Sequence, residues 1–345
     1  MTPPSLSRPP LVSVLMTMYN ATTHLRAAVE SILNQTMRDF ELIIVDDGST
    51  DDSVALMKNW DDPRIRLIQN PLNKGQTLCL NQGLALARGD WVARQDADDI
   101  SLPSRLATQI NAVTKNPGLT LIGSQAWIID HAGKFEGTLN LPLEMESLEW
   151  ASLFENPFVH TAVMYRRDQI SNLGGYDESF AICQDYELWL RVLRIHRGIN
   201  LSARLVQYRH TAQSLSQSGR STVDAESLRV RTILWDQIFA DSNFSTADKW
   251  AFLRHTGPPS DEDSTHFASL HARVRAYYVQ SRPDLVRSRD FRRTTALQHA
   301  QMGRSIFARQ RIAGVCHLAR GLAIDPQLLL DLAKDRVFGP WSFSR

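Results

Sequence analysis

Residues 11–17 (LVSVLMT) are apolar and rich in β-branched side chains, the pattern of a strand covered on both faces. Asn20 can cap a helix that runs to about Asn34 and gathers Leu25, Ala28, Ile32 and Leu33 on one side. ELIIV at 41–45 repeats the buried-strand pattern and runs into DDGSTDDS. There Gly48 permits a tight turn, and Ser49 or Thr50 can cap a helix opened by Asp51 and Asp52. RIRLIQ at 64–69 predicts a third strand, 75–88 a third helix ended by Gly89, and DWVARQ at 90–95 a fourth strand. A helix over 103–115 and a strand LTLIG at 119–123 follow. Strand and helix alternate four times through short turns, which predicts a parallel sheet with helices on both faces. Such sheets bind ligands at the carboxyl ends of their strands. Asp46, Asp47, Asp96, Asp98 and Asp99 all fall at such ends.

Beyond residue 123 the rhythm changes. DHAG at 130–133 reads as a hairpin turn, 144–154 as a short amphipathic helix and VHTAVMYR at 159–166 as a strand. QDYELWLRVLRIH at 184–196 is helical, with Leu188, Val192 and Ile195 on one side, and ARLVQYRH at 203–210 is a last strand. The polar run 214–222 marks a boundary, after which the text is helical and Arg-rich. This predicts two domains: 1–219, with 11–103 binding one substrate and 104–219 facing the other, and a helical region 220–345. A segment around 305–330 resembles one helical hairpin, and a single copy is no repeat.

Composition narrows the class. At 345 residues the chain can bury a large core without a staple, and its three cysteines (Cys79, Cys183, Cys316) lie far apart with no CxxC pair. That pattern speaks for a reducing compartment and against a disulfide framework or structural zinc. The segment MTPPSLSRPP has no apolar run like that of a signal peptide, and no window reaches the ~18 apolar residues of a membrane span. A cytoplasmic protein is expected. The net charge of +1 hides an asymmetry: residues 1–219 sum to −5 and residues 220–345 to +6. The acidic part should hold a cation; the basic part suits phosphates or an anionic membrane.

The candidate chemistry starts with RQDADD at 94–99. Three carboxylates within four residues repel one another unless solvated or gathered around a cation. Oxygen ligands of this kind suit Mg²⁺ or Mn²⁺, which share their shell with substrate phosphates. An EF-hand does not fit, because the twelfth position counted from Asp96 is Ala107. In VDDGSTD at 45–51, Asp46 or Asp47 could accept the ring N–H of a pyrimidine, while Asp51 and Asp52 read as helix-capping residues. Lys74 and Arg94 carry two readings, contact with phosphate or base and plain solvation. For Arg105 a helix-to-loop salt bridge stands beside a site role.

Several segments then agree in order and spacing: VSVLMTMYN, ILNQTMRDFELIIVDDGSTDDS, NKGQTLCLNQGLALARGDWVARQDADDISLPSRL, NPFVHTAVMYRR, GGYDESF and QDYELWLRV. Over roughly residues 11–210 the chain resembles family 2 of the glycosyltransferases. The resemblance implies the GT-A fold, a mixed α/β sheet flanked by helices, here with an α-helical C-terminal extension. It implies that Thr17 and Tyr19 open the nucleotide pocket and that Asp47, with Asp46 beside it, recognises the base. Arg94 and Asp96 then join the nucleotide side. Asp98 resembles the metal ligand of the family's DxD, with Asp96 in support, the ion being Mn²⁺ or Mg²⁺ bridging two phosphates of a nucleotide-diphosphate sugar. His210 could complete the metal or pyrophosphate site. Asp185 matches the family's catalytic base; its usual Glu-Asp pair is Gln184-Asp185 here. Gly174, Gly175 and Tyr176 resemble the acceptor-side loop, with His160 and Trp189 as further acceptor-side candidates. For Trp189 packing is the commoner reading, and Glu187 reads as structural.

The implied reaction is an inverting transfer to an acceptor hydroxyl, with UDP the default base and dTDP a second option. The implied acceptor is a glycan or lipid-linked oligosaccharide in bacterial surface polysaccharide or glycolipid synthesis. Two alternatives remain. A sugar nucleotidyltransferase would want a Gly-rich loop after the first strand, where this chain has TMYNATTH. A non-catalytic nucleotide-sugar-binding relative would not need Asp98 and Asp185. Ten arginines between Arg273 and Arg311 read as solvated helix faces, or as a basic surface for peripheral contact with the inner face of a membrane. No nucleic-acid partner is expected, since no such motif accompanies the charge.

Overall fold

The structure is a computed structural model that describes residues 8–210, 219–253, 263–280, 282–307 and 323–325. Strands β1 (Val12–Met18), β2 (Phe40–Asp46), β3 (Ile65–Gln69) and β4 (Trp91–Asp96) pair in parallel in the order β3-β2-β1-β4. Helices α1 (Thr22–Leu33), α2 (Ser53–Met57) and α3 (Gln76–Leu86) return the chain between them. All seven residues of β1 and of β2 are buried, as a strand covered on both faces requires. Thr17 lies opposite both Val45 and Asp96, so β1, β2 and β4 end level.

Alternation along the strands defines two faces. Val12, Val14, Met16 and Met18 join Phe40, Leu42, Ile44, Trp91 and Ala93 in one cluster with Leu25, Val29 and Ile32 of α1 and Met57 of α2. The opposite face carries Leu15, whose side chain approaches Gly83 of α3 so closely that a Cβ there would lie 2.1 Å from Leu15 Cδ1. By the same alternation Thr17, Arg94 and Asp96 belong to the α3 face.

The chain continues through β5 (Ile100–Ser101), α4 (Arg105–Lys115), β6 (Leu119–Ile129), β7 (Phe135–Leu139), α5 (Met145–Ala151), a 3₁₀ turn (His160–Ala162), β8 (Met164–Arg166), α6 (Arg167–Asn172), α7 (Gln184–Ile195) and β9 (Arg197–Arg209). Here the sheet stops being purely parallel. β8 lies between β4 and β6, antiparallel to both, and β5 is antiparallel to β9. The predicted strand 159–166 is therefore a 3₁₀ turn followed by a three-residue strand. Hydrophobic periodicity reports which residues are covered, not which strand lies alongside or in which direction. Two predicted caps also differ. Asn20, at φ 48°, turns its Oδ1 to the amides of Thr50 and Asp51 instead of capping α1. The Ser49 amide donates to the Asp46 carboxylate, and α2 begins four residues later, at Ser53.

The residues divide into two compact units, 1–136 with 158–223, and 137–157 with 224–345. The first holds the sheet. The second contains α5, all but the first four residues of α8 (Arg220–Ile238), α9 (Thr246–Leu253), α10 (Asp263–Gln280) and α11 (Arg289–Phe307), in keeping with the expected helical C-terminal region. Segment 137–157, expected on the acceptor side of the first domain, clusters with 224–345. The reason is Trp150: it is fully buried, its Nε1 donates to Gln298 Oε1 at 2.7 Å, and its ring meets Phe154, His271, Tyr278 and Phe291. The expected boundary run at 214–222 and the hairpin at 305–330 lie largely outside the described residues. Among the described residues no helix is long and apolar enough to cross a membrane.

Candidate active site

The carboxyl ends of β1, β2 and β4 bring together the residues that the sequence marks. Asp47 follows β2, and its amide donates to Met18 O at 2.9 Å. Its carboxylate accepts the amides of Lys74 (2.7 Å) and Gly75 (2.9 Å), which fixes the turn that opens α3. Asp46 points to the other face and holds the Ser49 amide. Beside them Gly48, at φ 73°, lies against Leu72; a Cβ would come within 2.6 Å of the Leu72 carbonyl carbon. Tyr19 is half exposed at the end of β1, and the Thr17 hydroxyl accepts from Arg94. Asp51 has the structural part expected of it. Burial would raise its pKa, but bonds from Ser53 and Thr22 outweigh that and bring it down to about 2.

The DxD segment is a tight turn between β4 and β5. Arg94 does not face solvent as the sequence reading allowed. It is fully buried, with Nη2 donating to Asp96 Oδ1 (2.6 Å) and Thr17 Oγ1 (3.1 Å). Phosphate or base could not reach it without displacing those partners. The Asp96 amide donates to Thr161 Oγ1 at 3.0 Å. Asp98 is partly exposed, and burial followed by the Asp96 charge pushes its pKa up to about 6. Asp99 is buried, with Oδ1 accepting the Arg209 amide at 2.6 Å, and burial followed by the Asp98 and Asp96 charges pushes its pKa well up. Carboxylates this crowded and incompletely compensated fit a divalent cation, with the open side left for phosphate and water oxygens. Among the described residues no group of three or more His, Cys, Asp or Glu side chains is arranged around one point.

Arg209 is the residue that sequence reasoning passed over. Its Nε donates to Asp98 O at 2.8 Å and its Nη1 to the carbonyls of Asp130 and His131 at 2.8 and 3.0 Å. The signal was its place beside His210 at the end of a strand. His210 itself is exposed, its amide bonded to Ile129 O.

The residues expected on the acceptor side lie in the 3₁₀ turn, in the loop after α6 and on α7. Asp185 lies in the first turn of α7, largely buried, and its Oδ1 accepts the Tyr186 amide at 2.8 Å. His160 Nε2 and Tyr176 Oη are 3.1 Å apart, and Tyr176 Oη donates to Tyr165 Oη at 3.4 Å. Burial first, then the Arg94 charge, hold the His160 imidazole well below the usual histidine range. Burial, with the charge of Asp185 among smaller contributions, pushes the Tyr176 phenol up. The Arg94 charge acts on the Tyr176 phenol in the opposite sense. Trp189 is fully buried against Phe158, His160, Tyr165 and Tyr176. It supports the site from beneath and does not line an acceptor surface. Tyr176, 2 % exposed, is likewise interior. Its backbone is pinned by Asn81, which accepts from its amide and donates to its carbonyl, both at 2.9 Å.

Glu187 lies some 200° around α7 from Asp185. It pairs with Arg191 (2.6 Å), whose Nη1 and Nη2 hold the carbonyls of Leu173 and Gly175. A shallow groove of about 310 Å³ opens over these residues. Its lining is Leu173, Gly174, Gly175, Asp177, Glu187 and Arg191. Arg105 is fully buried and donates to Gln95, Ser101, Arg94 O and Val163 O, which gives it a scaffolding role.

The Glycosyl transferase family 2 profile matches residues 13–174. EpsE of Bacillus subtilis (strain 168) is 35% identical over 214 residues, covering 60% of this chain and 76% of that protein. The O-antigen biosynthesis glycosyltransferase WbnJ of Escherichia coli is 31% identical over 229 residues, covering 65% and 89%. S. aureus TarS 1-349 in complex with UDP-GlcNAc superposes with a TM-score of 0.56 at 14% identity, covering 93% and 92%. The mannosyltransferase PcManGT from Pyrobaculum calidifontis in complex with GDP-Man and Mn²⁺ gives 0.52 at 17%, covering 94% and 88%. The chain belongs to glycosyltransferase family 2 and has the GT-A fold with C-terminal helices. It is a glycosyltransferase.

Proposed function

We propose that the protein moves a sugar, with inversion, from a nucleotide-diphosphate sugar to an acceptor hydroxyl during assembly of a bacterial surface polysaccharide or glycolipid. The observation that carries this reading is geometric: the carboxyl ends of β1, β2 and β4 bring Thr17, Asp47 and the Asp96–Asp99 turn level with one another, and Asp185 lies in the first turn of α7. A carboxylate base together with a turn suited to a cation would serve in-line displacement at an anomeric carbon. UDP is the favoured base, supported by the UDP-GlcNAc bound to TarS, while the GDP-Man on PcManGT keeps purine donors in the test. The acceptor class is supported by the O-antigen biosynthesis of WbnJ.

In this reading Thr17, Tyr19, Asp46 and Asp47 form the nucleotide side. Asp47 acts chiefly by holding the Lys74–Gly75 turn. Asp98, with Asp96 in support and His210 nearby in sequence to Arg209, would hold Mn²⁺ or Mg²⁺. A bound divalent ion supplies charge neutralisation for the leaving diphosphate. Asp185 takes the proton from the acceptor hydroxyl, whose oxygen attacks the anomeric carbon from the face opposite the nucleotide. In the first turn of α7 the Tyr186 amide donates to Asp185 Oδ1 and orients that carboxylate. Gly175 and the Tyr176 backbone shape the acceptor loop, and His160, kept neutral, can hydrogen-bond without adding charge. Catalysis is assigned to 1–219 without 137–157, and 220–345, with which 137–157 clusters, is a helical companion that can meet an anionic bilayer.

The test is release of nucleoside diphosphate from a panel of UDP-, dTDP- and GDP-sugars with Mn²⁺, Mg²⁺ or chelator. Metal-dependent release from a UDP-sugar is expected, and its loss in Asp98→Ala. Equal metal-dependent binding of UDP by wild type and Asp98→Ala would reject Asp98 as a ligand. Co-sedimentation of the full chain with vesicles with and without anionic lipid tests the membrane contact; no difference removes it.

A further inference from the structure

Arg94 has properties that neither nucleotide contact nor simple stabilisation explains. Its side chain runs along the seam between β1 and β4 toward their carboxyl ends, donating to Leu15 O, Gln95 O, Thr17 Oγ1 and Asp96 Oδ1. Nε is buried without an acceptor. A second fully buried guanidinium, Arg105, donates to the Arg94 carbonyl, and burial together with the Arg94 charge lowers its pKa. Two adjacent like charges and an unpaired donor are costly to bury, and apolar replacements of buried ion pairs are often neutral or stabilising. Such a group is kept for what it orients.

What it orients is Asp96. Residues 94 and 96 are i and i+2 on one face of β4, the face that also carries Thr17. From the other side the Asp96 amide is anchored on Thr161, and Arg209 fixes the Asp98 carbonyl and the Asp99 carboxylate. One carboxylate of the turn is thus bound to Arg94 and another to the Arg209 amide, while Asp98 keeps an exposed side. We infer that Arg94 is a positioning residue: by clamping Asp96 it leaves Asp98 as the carboxylate that faces the cation and diphosphate of the donor. This rests on the reading of Asp98 given above.

The experiment is calorimetric titration of Mn²⁺ into the full chain with UDP present. The proteins are wild type, Arg94→Gln, Arg94→Lys, Asp96→Asn, the Arg94→Gln/Asp96→Asn pair and Asp98→Ala, with thermal unfolding, donor KM and kcat recorded alongside. Outer partners of metal ligands typically change metal affinity by roughly 10–100-fold. Arg94→Gln should weaken Mn²⁺-dependent UDP binding within that range and raise donor KM more than it lowers kcat. Arg94→Lys, which keeps the charge but not the fork, should recover part of the loss. The pair should bind no worse than its weaker single variant, because Arg94 acts through Asp96. A folded Arg94→Gln within about twofold of wild type, or strictly additive losses in the pair, would overturn the inference provided Asp98→Ala does lose binding. If Asp98→Ala binds normally, it is the metal-ligand reading that fails instead. Where Arg94→Gln does not fold, the pair, which leaves no lone buried charge, is read; an unfolded pair makes Arg94 a scaffold residue and also overturns the inference.

Discussion

Replacing Gly175 by alanine probes the loop that fixes Tyr176 beside His160 and Asp185. Gly175 has φ 72° and Gly174 has φ 88°, so an alanine at either position carries the left-handed strain of about 1–2 kcal/mol. The two sites differ in what the new Cβ meets. At 174 nothing lies within 4 Å; at 175 the Asn81 Oδ1 lies at 2.7 Å. Asn81 has to give way, and its carboxamide holds the Tyr176 amide and carbonyl. Losing both bonds adds about 1–3 kcal/mol. Gly175→Ala should therefore exceed Gly174→Ala by about 2 kcal/mol, or roughly 4–8 °C in Tm for a unit of this size. Differential scanning calorimetry of the two variants, with Asn81→Ala as a third, reads the difference directly. Equal Tm values for the two glycine variants would refute the argument, as would full additivity of Gly175→Ala with Asn81→Ala.

Two further outcomes follow from burial and charge. The folded His160 has its pKa lowered, so its contribution to stability is complete above the unfolded value near 6.5 and declines as pH falls below it. Wild type should lose up to about 1.4 kcal/mol per pH unit from this group on acidification, and His160→Gln should show a shallower dependence of Tm between pH 7 and pH 5; identical slopes would remove His160 from the account. In the second unit, Trp150→Phe leaves Gln298 Oε1 without its donor and should cost about 1–3 kcal/mol by thermal unfolding. Adding Gln298→Leu should relieve part of that loss, and an unchanged Tm in Trp150→Phe would contradict the buried bond.

Much of this architecture is legible from side-chain pattern. β1 and β2 announce themselves as uninterrupted apolar runs because a strand covered on both faces has no solvent side. The level placement of Asp46 and Asp96 follows from those runs ending together. β8 is not legible in the same way: three residues have too little periodicity to distinguish a strand from the 3₁₀ turn before it, and pairing direction leaves no mark on composition. Arg94 shows a different limit. An arginine beside three aspartates reads as a surface charge, and only its position on the inward face of β4 shows that it serves Asp96. Packing was legible for Trp189, whereas the interior position of Tyr176 was not, since a motif gives order along the chain and not depth. Arg209 was hidden because three of its four bonds go to carbonyls, and its own amide supplies the fourth. Segment 137–157 was hidden because its anchor, Trp150, finds Gln298 148 positions away.

The central claim is that the Asp185 carboxylate is the proton acceptor in a site that binds the donor elsewhere, and Asp185→Asn separates those roles. Single-turnover transfer with saturating UDP-sugar, measured beside donor affinity for the same protein, should find transfer lost by several orders of magnitude while the donor Kd stays near the wild-type value. Transfer at the wild-type rate, or a donor Kd lost in parallel with transfer, would contradict the account.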